Sequence, residues 1–351
     1  MMQCQKTKPG PVTFLLGAEA SAQVLPTQAG VEDRLKWWIG NIRSELAFLR
    51  FSVRLRMQCD FKRLRRVIKK HSSVDHYIAQ SKPTGKVRRR ILRAYALFWL
   101  LEQRKNGFDP RYREFVRKCV EPGNDPQEGC LVWRRQWNIL NWNYDIQFEM
   151  AVLAAFSNSF SDKCLPAFRS AIDAIARDLC IQPWVSLQAQ GCCRIFKLNG
   201  TAGINERSRD SKGAAIFGTG QDRLNLILDR DQSSLKERLD NYPGEPVWQE
   251  LLEFATEWWR DPEKQEAKIG TIAPLLESTT TLVVIGYSFF EDNELVDAAL
   301  LCRMRNLEKI YLQVPGSQVN DIESRLRTLL AGRSIPVEWK EAIGQPFFTP
   351  N

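Results

Sequence analysis

The chain has 351 residues, 44% apolar and 26% charged, which is ample to bury a core and ordinary for a globular protein. No stretch approaches the roughly 18 uninterrupted apolar residues of a membrane span, and the opening run that ends in Glu19 reads as a first buried strand rather than a signal peptide. A cytoplasmic protein without a membrane partner is therefore expected. Nine cysteines, an odd number with no C-x-x-C pair, point to reduced buried thiols, not a disulfide framework or a zinc site, and no metal is expected. The net charge of +9 is uneven: residues 41–120 hold 22 Lys and Arg against 6 Asp and Glu, a net of +16, so the remainder carries −7.

In chain order, residues 12–16 predict a strand. Leu35, Ile39, Ile42, Leu46 and Leu49 then recur at helical spacing, and Val53, Met57, Phe61, Leu64 and Ile68 continue as one apolar stripe. Stretches SSVDH and SKPTGK predict breaks. The segment from Val87 predicts another helix with Val87, Ile91, Tyr95 and Phe98 inward, so roughly 31–120 is a basic helical block. Strand signals resume at 137–144 and 194–200, separated by helical patterns at 147–156 and 165–180. Residues 201–222 read as a polar loop, and 247–261 as amphipathic. The run TTLVVIGYS (280–288) is the strongest strand signal, continuously apolar like a parallel strand buried on both faces. A helix from Asn293, a strand at Lys309, a helix from Val319 and a strand at Pro336 complete the alternation. It predicts an α/β fold: a Rossmann-like parallel sheet with helices on both faces, formed by 1–30 and 130–351, with 31–129 as a basic helical insertion.

Ligands of open parallel sheets bind beyond the carboxyl ends of the strands. Four polar or glycine-containing clusters fall there: Gly17-Ala18-Glu19-Ala20-Ser21, Asn143-Tyr144-Asp145, Lys197-Leu198-Asn199-Gly200-Thr201, and Gly286-Tyr287-Ser288 with Asp292 and Asn293 beyond. Each is a weak signal alone. In their order they resemble the sirtuin-like NAD-binding family, in particular its bacterial NAD-hydrolysing branch. That family's pattern runs G-A-G-A-S, T-T-N-Y-D-x-x-x-E, K-L-H-G-S and G-Y-S-F-x-D-x-N. The chain has GAEAS at 17–21, NWNYDIQFE at 141–149, KLNGT at 197–201 and GYSFFEDN at 286–293.

The resemblance implies a loop at Gly17, Ala18, Glu19 and Ser21 facing the NAD diphosphate at a helix N-terminus. It implies Asn143 at the nicotinamide ribose and attacking water, and Asp145 at the nicotinamide side. It places Gly286 and Ser288 at the adenine-side ribose, with Gly200 and Asp292 as further cofactor-side positions. Two departures weaken that chemistry. Asn199 stands where the family has its histidine base and cannot take a proton near neutral pH. Glu19 stands in place of the central glycine, which removes backbone freedom and puts a carboxylate near a diphosphate; two such charges at about 4 Å repel by roughly 1–4 kcal/mol. The only histidines, His71 and His76, lie far in sequence from every motif. NAD binding is expected to be weak or absent.

The basic block supplies Arg54, Arg56, Lys62, Arg63, Arg65, Arg66, Lys69, Lys70, Arg88, Arg89 and Arg90, with Trp37, Trp38, Phe51 and Tyr95 nearby. A net of +16 over 80 residues exceeds what solubility requires and predicts a surface for nucleic acid or an acidic protein. The expectation is a catalytically impaired sirtuin-fold subunit of a prokaryotic anti-phage complex. Its partner would be an Argonaute, a helicase, another immune subunit or a further copy of the chain. The alternative is an active NAD glycohydrolase using Asn143 and Asp145.

Overall fold

The computed structural model describes residues 10–71, 73–81, 84–107, 109–122, 131–133, 137–145, 147–148, 151, 194–198, 236, 239, 242 and 262–350. Six strands, β1 (Val12–Leu16), β4 (Trp137–Asn141), β5 (Arg194–Lys197), β6 (Thr281–Ile285), β7 (Lys309–Val314) and β8 (Val337–Glu341), form one parallel sheet in the order β5-β4-β1-β6-β7-β8. The chain builds leftward from β1 and then restarts on its other side at β6. This is the doubly wound Rossmann order, which opens a crevice where the direction reverses. A short antiparallel pair, β2 (Val120–Pro122) and β3 (Leu131–Trp133), stands apart from the sheet.

The sheet is covered on both faces, as its unbroken apolar strands require. Alternate residues of β1 separate cleanly. Leu15 joins Leu140, Val284 and Leu312 beneath helices α6 (Pro262–Ser278), α7 (Glu294–Arg303) and α8 (Val319–Leu329). Val12, Phe14 and Leu16 join Ile139, Val283 and Ile285 beneath helix α5 (Pro110–Cys119) and Phe347 of the C-terminal segment. The expected boundary at 129 assigns α5 to the helical insertion, yet its Tyr112, Phe115 and Val116 belong to this sheet-face core.

Four helices, α1 (Val31–Glu45), α2 (Phe51–His71), α3 (Val74–Ser81) and α4 (Gly85–Asn106), bury a separate core. The predicted stripe from Val53 to Ile68 is buried. Residues 94–101 of α4 are buried on every side, so this stretch is enclosed by protein all round. Glu102, wholly buried, accepts hydrogen bonds from Arg34 (2.9 Å), Trp38 and Asn106 (3.1 Å), so its charge is matched.

Three local expectations are corrected. The helical stripe is interrupted between Glu45 and Phe51. SSVDH is a shorter break than expected, because α3 already starts at Val74. Val87 is exposed at the first turn of α4, where the helix has not yet reached the bundle, whereas Ile91, Tyr95 and Phe98 point inward. Helix α6 has no counterpart among the expected elements. Its start signal is Pro262, a residue suited to a first helical turn, but Pro274 inside it breaks the pattern. The patterns at 165–180, 201–222 and 247–261, and most of 147–156, lie outside the described residues.

The backbones pack closely where β1 and β6 end. A Cβ on Gly17 would lie 2.4 Å from the Gly286 carbonyl oxygen, and one on Gly286, at φ +59°, would lie 2.3 Å from the Ala20 nitrogen. Gly286→Ala is expected to cost about 3 kcal/mol or more in stability. Gly332, at φ +84° with open space around it, should cost only about 1–2 kcal/mol on the same change. Equilibrium urea denaturation of the two variants checks the contrast.

Candidate functional site

At the carboxyl ends of β1, β4 and β6 lies a cavity of about 360 Å³, within the range of small-molecule sites. Ala18, Glu19 and Ser21 reach it from β1, and Asn143 and Asp145 from β4. Gly286, Tyr287 and Ser288 reach it from β6, and Gln318 follows β7. The structure thus brings three of the four predicted clusters together. Asn199 and Gly200 of the fourth lie outside the described residues. Asp292 falls in a short 3-10 turn, Glu291–Asn293, whose Asn293 lines the cavity.

The predicted side chains are held to one another rather than left free. Asn143 is buried; its side-chain amide donates to the Gly17 carbonyl at 2.8 Å, and its backbone N–H donates to Asn141 Oδ1 at 2.8 Å. Asp145, also buried, accepts from the Ser21 hydroxyl at 2.8 Å and from the Gln147 N–H at 3.0 Å. Gln147 then bridges onward: its side chain accepts from the Asp109 N–H at 2.7 Å and donates to the Gly107 carbonyl at 3.0 Å. Arg111 pairs with Asp109 at 2.6 Å and donates to the Ala20 carbonyl at 2.9 Å. This loop of bonds ties the segment after β1 to the segment after β4 through the start of α5.

The turn after β1 differs from an anion cradle. It is a four-residue 3-10 turn, Ala18–Ser21, and α1 begins only at Val31. The Gly17 N–H donates to the Ile285 carbonyl, the Glu19 N–H to the Gly286 carbonyl and the Ala20 N–H to the Gly17 carbonyl, so these donors are already used. Position 19 does not require positive φ, and the close backbone approach expected there is made by Gly17 against Gly286. The Glu19 carboxylate accepts from the Gln318 amide at 2.9 Å. On the β6 side, Phe289 sits at φ +48°, a costly conformation for a bulky residue, in the segment that presents Ser288 and Phe290.

The helical block supplies a wall that was not foreseen. Tyr95 and Trp99 of α4 and Ser73 line the cavity beside Trp142 and Tyr144. Tyr95 has the spacing of an ordinary core residue, so its sequence position carries no site signal. Gln318 was findable, since it follows a predicted strand end just as the other clusters do. Trp142 stacks on Tyr287 with centroids 5.8 Å apart. The Tyr287 hydroxyl donates to buried Asp297 at 2.7 Å and accepts from Asn293 at 3.0 Å. Burial first, then the adjacent Asp297, pushes the Tyr287 phenol up, and burial likewise raises the Asp297 carboxyl despite its hydrogen bonds from Tyr287 and Trp142.

The basic residues divide into two sets. Arg90 pairs with buried Asp60, which also accepts from Tyr242 at 2.7 Å; Arg65 pairs with Glu32 at 2.8 Å; and Arg54 donates to the Arg43 carbonyl at 2.9 Å. Arg63 and Arg88 are half-buried. Arg56, Lys62, Arg66, Lys69, Lys70 and Arg89 face outward. Of the aromatics expected beside them, Trp38 and Tyr95 are buried and Trp37 lies under Lys105 and Arg34, which leaves Phe51 exposed. Among the described residues no group of His, Cys, Asp and Glu could hold a metal ion, and no helix is long and apolar enough to cross a membrane.

Because both oxygens of Asp145 are matched by scaffold donors, Asp145→Asn is expected to cost about 1–3 kcal/mol by turning one acceptor into a donor opposite the Gln147 N–H or the Ser21 hydroxyl. Denaturation without any ligand should register this loss in full.

In comparisons with known proteins, no family model matches the chain and no curated protein matches it at significant similarity.

Proposed function

We propose that the chain is a sirtuin-like subunit of a prokaryotic anti-phage complex whose crevice is retained as a binding or structural element while NAD turnover is lost or very weak. The observation that carries the loss of turnover is the commitment of Asn143 and Asp145: amide and carboxylate are hydrogen-bonded into the protein instead of being held ready for a ribose and a water. Glu19 adds a carboxylate at the rim, and neither histidine lines the cavity among its described residues. The anti-phage setting is supported by the four ordered motifs alone. Contact with nucleic acid or an acidic partner, such as an Argonaute, a helicase or another immune subunit, is assigned to the outward set on α2 and α4.

Purified protein incubated with NAD, with and without nucleic acid, is expected to release no nicotinamide. Rapid release abolished by Asn143→Ala would establish the opposite reading, a working NAD glycohydrolase. For the surface, charge reversal of Arg56, Lys62, Arg66 and Lys69 together is expected to weaken polyanion binding by at least tenfold at moderate salt and to flatten its salt dependence. Reversal of Arg65, which is already paired with Glu32, should instead act mainly on stability. A gel-shift or fluorescence titration at several salt concentrations reads the first effect, and unchanged binding would reduce the basic face to a solvated surface.

A further inference from the structure

We propose that the crevice is built for a small organic cation without phosphate groups. The inference rests on reading the crevice as a ligand site, and it adds the chemical class of the ligand. Its walls are aromatic: Tyr95, Trp99, Trp142 and Tyr287 surround the space, and Phe290 stands at the mouth, half exposed. Aromatic faces attract cations, most strongly where water is excluded. The charged side chains among the described lining residues are Glu19 and Asp145, both carboxylates, with no Lys, Arg or His beside them. A cationic ligand gains from both features at once, whereas a phosphate would meet two carboxylates.

The backbone points the same way. Of the N–H groups a phosphate would need, those of Gly17 and Glu19 are bonded to carbonyls across the β1–β6 junction, and that of Ala20 to the Gly17 carbonyl within the turn. Glu19 is not free to swing away without cost, because Gln318, which also lines the cavity, donates to it at 2.9 Å. One further group lacks a partner among the described residues. The indole N–H of Trp99 is buried, and Trp99 is only 8% exposed and lines the cavity. An acceptor atom on the bound molecule would satisfy it, since buried donors are rarely left unpaired. The volume of about 360 Å³ suits a molecule of one or two rings.

The test is calorimetric titration of the full chain with benzyltrimethylammonium, with its neutral carbon isostere neopentylbenzene, and with NAD. The cation is expected to bind, the isostere at least about tenfold more weakly, and NAD more weakly than the cation. Glu19→Gln, a partly exposed and shape-preserving change, should weaken the cation by about tenfold and improve NAD binding. Trp99→Leu should weaken the cation to a similar degree; if that variant misfolds by circular dichroism, Glu19→Gln alone decides. Equal binding of cation and isostere, or NAD binding that exceeds the cation's and ignores Glu19→Gln, would overturn the proposal. Nicotinamide release in the same samples would overturn the pseudoenzyme reading instead, so the two failures are told apart.

Discussion

The site depends on how closely β1 and β6 approach at their carboxyl ends. Gly17 and Gly286 allow the two backbones to touch, and the Gly17 and Glu19 N–H groups bond across the junction. Neither glycine can be exchanged for a residue with a side chain without displacing the backbone that faces it. The contact also spends the donors that phosphate-binding turns usually leave open, so the feature that shapes the crevice limits what the crevice can hold. The central position of the turn, where the sirtuin-like pattern it resembles has glycine, is free to carry Glu19 because the turn here is of 3-10 form and asks for no positive φ.

Three buried carboxylates, Asp145, Glu102 and Asp60, hold the remaining parts together, each paired with fixed donors. Asp145 joins the segments after β1 and β4, and through Gln147, Asp109 and Arg111 it reaches the start of α5. Glu102 anchors α4 to α1 through Arg34 and Trp38, and Asp60 gathers Arg90, Arg93 and Tyr242. A buried charge is tolerable only when its donors are fixed, and removing one partner costs more than the pair contributes. These networks therefore fix α4, which brings Tyr95 and Trp99 to the crevice. The helical block is thus part of the site's wall as well as a charged exterior.

Between β7 and the edge strand β8, the half-buried trio Lys309, Glu338 and Lys340 shows the same charge matching outside the core. Hydrogen bonds from the two lysines pull the Glu338 carboxyl down to about 2, and the Glu338 bond lifts Lys309 to about 12. The Glu338 contribution is present above the ordinary carboxyl range and fades as pH falls toward 2; that of Lys309 is full below the ordinary lysine range and fades as pH rises toward 12. Across neutral pH the edge pairing is unaffected.

Unbroken apolar runs such as TLVVI, alternating with helical patterns, point to parallel strands covered on both faces, so the sheet was readable from local pattern. So was the α2 stripe, because a period of 3.6 places Val53, Met57, Phe61, Leu64 and Ile68 on one face whatever they pack against. The strand-end rule pointed to Ser21, Asn143, Asp145 and Gly286, which line the crevice. Local pattern could not reveal what distant segments bring to one place. The division of the arginines into paired and outward sets depends on where Glu32 and Asp60 arrive, the aromatic wall depends on α4 reaching the segment after β4, and the loss of free donors depends on a bond between residues 19 and 286. Periodicity and turn chemistry are short-range and therefore legible along the chain. Charge pairing and cavity shape are set by long-range packing, and they arise only when the chain has closed on itself.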